Sequence, residues 1–150
     1  MSLKASRTHS ILSRSVAETR AEAARLAKTA RPGDVYALVG PLGAGKTEFV
    51  RGFVDALAPK APVRSPSFTL LNVYETPGFP VYHFDFYRVR AASELTEVGL
   101  AEYLDGAGVC LVEWADLFPA ELPRQATLTV RFSDEGAGVR RITVEPAATR

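Results

Sequence analysis

The sequence predicts an α/β fold: a mostly parallel central sheet flanked by helices, with a C-terminal antiparallel hairpin. Short apolar runs alternate with helical stretches along most of the chain, the pattern of strands joined by crossover helices. Near the end, two β-branched runs are separated by Asp134, Glu135, Gly136 and Gly138, which reads as hairpin punctuation. The length of 150 residues, 47% of them hydrophobic, fits a single domain over 1–150 whose core needs no disulfide staple.

Each element has a local reason. Ser15 to Ala30 reads as a helix, because Ser15 and Glu18 form a capping-box pair ahead of a stretch rich in Ala, Glu, Arg and Lys. Pro32 and Gly33 stop it. Asp34 to Val39 is a β-branched and aromatic run, the signature of a buried strand. A glycine-rich segment follows at once. A helix is expected from there through Leu57, with Phe49, Phe53 and Leu57 on one apolar face and Pro59 and Pro62 ending it. Phe68 to Tyr74 and Val81 to Tyr87 read as strands divided by Pro77, Gly78 and Pro80. Ser93 to Leu104 is helical in character but contains Gly99, so a break or two short turns are expected. Val109 to Trp114 is a further buried strand, and Thr127 to Phe132 with Arg140 to Val144 form the hairpin.

The glycine-rich segment is Gly40-Pro41-Leu42-Gly43-Ala44-Gly45-Lys46-Thr47, which fits the phosphate-loop pattern G-x-x-x-x-G-K-[ST]. Its glycines let the backbone turn with N–H groups aimed inward at anionic oxygens, where a Cβ would cost energy or block close approach. The helix that follows adds orphan N–H groups and a partial positive charge. Lys46 can reach the β- and γ-phosphates, and the Thr47 hydroxyl can ligate Mg²⁺. A strand entering and a helix leaving the loop supply the context that the pattern requires, so a P-loop NTPase-like fold binding a Mg-nucleotide is expected. ATP is the expected nucleotide, because no Asn-Lys-x-Asp that would read guanine is present.

Such a site needs a second acidic group, usually at a neighbouring strand tip. Glu113 ends Val109-Cys110-Leu111-Val112 and Asp85 follows Val81-Tyr82-His83-Phe84. A carboxylate at the end of a buried strand is costly to desolvate unless a cation or donors meet it. Glu113 is read as a Mg²⁺ ligand or one arm of a structural ion pair. Asp85 either holds a metal-bound water or positions the attacking water, or it pairs with Arg88 or caps the next element. His83 reads as structural. Trp114, directly after Glu113, is either core or a sensor of nucleotide or partner. Cys110, the single cysteine, reads as core.

Net charge is +1, unevenly spread: residues 1–31 carry seven Lys/Arg against Glu18 and Glu22. This basic stripe reads as a solvated helix face before it reads as a contact for RNA or an acidic partner. No apolar run approaches the ~20 residues of a membrane span, and a cytoplasmic protein is expected.

Taken together, Gly40 to Thr47, Ser65-Pro66-Ser67-Phe68-Thr69-Leu70, His83-Phe84-Asp85-Phe86-Tyr87-Arg88 and Leu111-Val112-Glu113-Trp114 resemble one family across nearly the whole chain. This is the bacterial TsaE family (YjeE), ATPases of tRNA threonylcarbamoyladenosine synthesis. The resemblance implies ATP hydrolysis inside a complex with the carbamoyl-transferase subunits TsaB and TsaD. That complex modifies the adenosine beside the anticodon in tRNAs reading codons that begin with A, with any tRNA contact of this subunit indirect. It further implies Thr47 and Glu113 as Mg²⁺ ligands and Asp85 as the acidic residue of hydrolysis. Ser65, Ser67 and Thr69 would belong to a switch segment over the γ-phosphate, and Thr19 and Arg140 would lie near the adenine. The chain departs from the family at Glu48, where relatives commonly carry a second threonine: a carboxylate there should point away from phosphate, leaving only its N–H to bind. It departs again at Ala92-Ser93-Glu94-Leu95, a less acidic helix start.

Two other function classes share the loop. A small metabolite kinase would need an arginine-bearing lid, for which Arg88, Arg90, Arg140 and Arg141 are the available cations but no lid-like insertion is visible. A GTPase or nucleotide-gated binding module is the other.

Overall fold

A computed structural model describes residues 7–66 and 68–147. One seven-stranded sheet runs in the order β1-β7-β6-β2-β5-β4-β3. Its centre, β6 (Thr127–Gly136), β2 (Val35–Val39), β5 (Val109–Glu113) and β4 (Val81–Asp85), is parallel. Antiparallel strands border it: β3 (Leu71–Tyr74) beside β4, and β7 (Val139–Glu145) with β1 (His9–Ser13) beyond β6. The expected parallel centre and terminal hairpin are present, and the borders make the sheet mixed.

Alternation along β2 assigns the two faces. Tyr36 and Leu38 join α1 (Val16–Ala27) and α2 (Lys46–Leu57) in one core, through Ala23, Leu26, Phe49, Val50, Phe53 and Val54. Val35 and Ala37 face a second core with Phe84, Phe86, Leu95, Leu100 and Val112, under α3 (Ala92–Val98) and α4 (Leu100–Leu104). Gly99, with φ of +80°, divides those two helices, as its place in the sequence implies. Ser15 caps α1 by accepting from the Glu18 N–H at 3.1 Å, while Glu18 returns to the N–H of Arg14 rather than to that of Ser15. Cys110 is core.

Some ends fall short of expectation, β4 stopping at Asp85 rather than Tyr87 and α1 at Ala27 rather than Ala30, and three elements differ further. β1 has no counterpart among the predicted elements, since its serines blur the alternation around Ile11. The strand expected from Phe68 starts only at Leu71: the Leu70 N–H bonds the Pro66 carbonyl at 2.7 Å and Leu70 takes φ of +71°, so the apolar segment before it is a turn. The hairpin is longer and tighter, because Asp134, Glu135 and Gly136 belong to β6 and only Ala137 and Gly138, both at positive φ, make the turn.

The basic stripe is partly neutralised within the fold, Arg20 by Glu48 and Arg25 by Glu22. Among the described residues, no helix is long and apolar enough to cross a membrane.

Candidate nucleotide-binding site

Because β2, β4 and β5 are parallel, their C-terminal ends meet at one edge of the sheet, the usual ligand position in such folds. The glycine-rich loop leaves β2 at this edge. A Cβ on Gly40 would lie 2.7 Å from the Phe132 carbonyl oxygen, so only glycine lets the loop pass that close to β6. Gly45, at φ of +106°, turns the chain into α2 and leaves its first N–H groups facing the edge.

Lys46 is buried and donates from Nζ to the carbonyls of Gly40 at 2.6 Å and Pro41 at 2.8 Å. Its ammonium also lies 4.2 Å from the centroid of the Trp114 ring. Burial pulls the Lys46 ammonium below its ordinary value, opposed by the charges of Glu113, Asp116 and Asp85. The Thr47 hydroxyl sits 3.1 Å from both carboxylate oxygens of Glu113, so loop and strand tip are joined directly. Glu113 is only 3% exposed, and its Oε2 also meets His83 Nε2 at 2.7 Å.

Asp85 pairs with Glu113 across β4 and β5. It accepts from the Tyr87 N–H at 2.9 Å and from the Ser65 hydroxyl at 3.2 Å. Burial raises the Asp85 carboxyl above its ordinary range; the Glu113 charge adds to the rise, while the Tyr87 and Ser65 hydrogen bonds oppose it. Lys46, Thr47, Ser65, Asp85, Glu113 and Trp114 line one cleft of about 430 Å³, with Leu42, Tyr87 and Arg88 at its walls.

A smaller cavity of about 140 Å³ lies on the other side of the loop and brings Thr19 and Arg140 together with Gly43, Ala44 and Gly45. Thr19 shares a hydrogen bond of 2.7 Å with Ser13, and Arg140 donates to the Gly43 carbonyl at 3.2 Å. Glu48 borders both the cleft and this cavity, and its carboxylate is held by Arg20, at 2.6 Å, and by Arg51. Burial pushes its carboxyl up, but the hydrogen bond from Arg20 and the charges of Arg51 and Arg20 hold it below its ordinary value.

Of the residues expected to form a switch, Ser65 reaches the cleft, whereas Thr69 bonds the Leu71 carbonyl and Asn72 and does not line it. Ser67 lies outside the described residues. Trp114 leaves the sheet in the left-handed region, φ +58°, and its ring packs 4.9 Å from that of Tyr87. Sequence reasoning missed the wall made by Tyr87 and Arg88, although both stand in the run after Asp85. It also missed the contact of His83 with Glu113, which only the register of two strands reveals.

Two carboxylates and a hydroxyl beside an anion-binding loop are hard oxygen donors. That set suits Mg²⁺, which takes one or two carboxylates and completes its shell with phosphate oxygens and water. The loop, the buried lysine and the acidic strand tips on this sheet define a P-loop NTPase-like domain, a nucleotide-binding class.

Within that class, the family model described as "Threonylcarbamoyl adenosine biosynthesis protein TsaE" matches residues 13–142, and the chain belongs to this family. The tRNA threonylcarbamoyladenosine biosynthesis protein TsaE of Bacillus subtilis is 44% identical over 133 residues, covering 89% of this chain and 82% of that protein. The protein of the same name from Treponema pallidum is 36% identical over 133 residues, 89% of this chain and 97% of that one. The crystal structure of Bacillus subtilis YdiB superimposes with a TM-score of 0.82 at 37% identity, covering 95% of this chain and 87% of the other.

Proposed function

We propose that this chain binds and hydrolyses Mg-ATP as the nucleotide-dependent subunit of tRNA threonylcarbamoyladenosine synthesis, working with carbamoyl-transferase subunits of the TsaB and TsaD type. The observation that carries the proposal is the meeting of Lys46, Thr47, Asp85 and Glu113 in one cleft at the mouth of β2. Membership of the TsaE family, whose relatives are named for this tRNA modification, supports the biological role.

In this reading Lys46 exchanges its two loop carbonyls for β- and γ-phosphate oxygens, and burial strengthens its field on them. Loop N–H groups and the α2 N-terminus take the remaining phosphate charge. Thr47 and Glu113 hold Mg²⁺, which when bound neutralises charge on the phosphate oxygens. Asp85 orients the attacking water, its carboxylate being held in place by the Tyr87 N–H and the Ser65 hydroxyl. Thr19 and Arg140, across the loop, contact the adenosine end of the nucleotide. Ser65 and Trp114 follow nucleotide state, because both touch groups that the phosphates would reach.

Arg88, at the cleft wall, holds its guanidinium over the Phe68 ring, 4.7 Å from the centroid, so it must leave that ring before it can act as an arginine finger. Turnover alone is therefore slow, and partners accelerate it by ordering the segment around Ser65. The test is reconstitution with TsaB- and TsaD-type subunits, tRNA and a threonylcarbamoyl donor. Modification should depend on this chain and on ATP, and Lys46→Ala should abolish it. Modification that runs equally well without the chain, or phosphate moved to a metabolite instead of water, would contradict the proposal.

A further inference from the structure

We infer that His83 is the positioning residue for the Glu113 carboxylate, and that it sets how strongly Mg²⁺ promotes nucleotide binding. The inference rests on the site reading above.

His83 and Asp85 point to the same face of β4, and the register pairs Asp85 with Glu113 and His83 with Leu111. His83 thus stands one inward position behind the carboxylate, within diagonal reach. The imidazole has no exposure, and its Nε2 lies 2.7 Å from Glu113 Oε2. The tilted Tyr74 ring covers it, 6.4 Å between centroids. Nδ1 is buried and has no hydrogen-bond partner among the described residues. A proton on Nδ1 would be a buried, unpaired donor, so the ring's proton belongs on Nε2 and is given to Glu113.

A polar ring that leaves one nitrogen unpaired is a poor choice for filling a core, where Val81 on the same face shows an apolar residue fits. Among the described residues its one polar contact is the carboxylate. Glu113 otherwise receives the Thr47 hydroxyl, whose single proton serves one oxygen at a time. When Thr47 turns its oxygen to a metal, His83 is the donor that still holds Oε2, leaving Oε1 aimed at the cleft. Partners that orient a ligating group in this way are commonly worth about 10–100-fold in metal affinity or activity.

The experiment is calorimetry of ADP and ATP binding in Mg²⁺ and in EDTA, for wild type, His83→Phe, His83→Asn and His83→Gln, each checked for folding by thermal melting. His83→Phe should cut the Mg²⁺-dependent gain in nucleotide affinity by roughly tenfold or more, with affinity in EDTA unchanged. His83→Asn, whose amide is too short to reach Oε2, should behave likewise and decides the matter if the phenylalanine variant does not fold. His83→Gln places a donor near the Nε2 position and should recover most of the gain. Full Mg²⁺ dependence in the Phe or Asn variant, equal losses in EDTA, or no recovery with Gln would overturn the inference. A wild type that binds nucleotide equally with and without Mg²⁺ would overturn the site reading itself.

Discussion

Replacing Gly52 by alanine would put a methyl group where α1 already stands. A Cβ at this position in α2 would lie 2.4 Å from the carbonyl oxygen of Arg20, 2.5 Å from its Cα and 2.8 Å from its carbonyl carbon. All three are backbone atoms, so no rotamer change relieves the clash. The helices must part by about 1 Å to restore van der Waals distance, which loosens the contacts of Ala23 and Leu26 with Phe49 and Phe53. Overpacking of this kind costs up to about 3 kcal/mol. Helix propensity alone favours alanine by about 1 kcal/mol. The net expectation is a loss of about 2 kcal/mol, or a melting temperature lower by about 4–8 °C for a domain of this size. Urea unfolding and thermal melting read both quantities. Because the two effects oppose each other, the sign decides: a Gly52→Ala protein as stable as wild type, or more so, would refute the close α1–α2 contact.

Other residues carry expectations of their own. Glu48→Gln should leave nucleotide affinity within about twofold and cost no more than about 1 kcal/mol of stability, because the side chain engages Arg20 and Arg51 at the surface; a much larger affinity change in calorimetry would put it on the phosphates. Asp85→Asn should keep Mg-nucleotide affinity while slowing phosphate release by about 100-fold or more, and unchanged turnover would remove Asp85 from the chemistry. Burial pushes the Glu22 carboxyl up, but hydrogen bonds and charges from Arg25 and His9 hold it below its ordinary value. The unfolded chain therefore takes up this proton at higher pH than the folded one, and the stability Glu22 contributes is full above the ordinary glutamate range and lost as pH falls through its folded value. Glu22→Gln should flatten the acid limb of a stability–pH curve; an unchanged limb would contradict the assignment.

Much of the site was legible because its signals are local. Gly40 to Thr47 must be contiguous to wrap a phosphate, and Asp85 and Glu113 stand out as acids that end apolar strands. What escaped depends on contacts between segments. The hairpin looked shorter because Asp134 and Glu135 resemble turn residues, yet they face Arg140 and Arg141 across the two strands. Phe68 and Leu70 looked like strand residues until the Pro66 carbonyl closed a turn over them. His83 gains its meaning from the β4–β5 register, and Gly52 from the distance between two helices. Neither leaves a periodic trace.

Trp114 is the single tryptophan, and its ring lies 4.2 Å from Lys46 Nζ. Phosphate that draws Lys46 away must change the surroundings of that ring. Titration of Mg-ATP and Mg-ADP while following tryptophan fluorescence is therefore the most direct test of the nucleotide site. A saturable change below millimolar nucleotide, lost in Lys46→Ala, is expected. A flat titration in folded protein, or an identical curve from Lys46→Ala, would contradict the account.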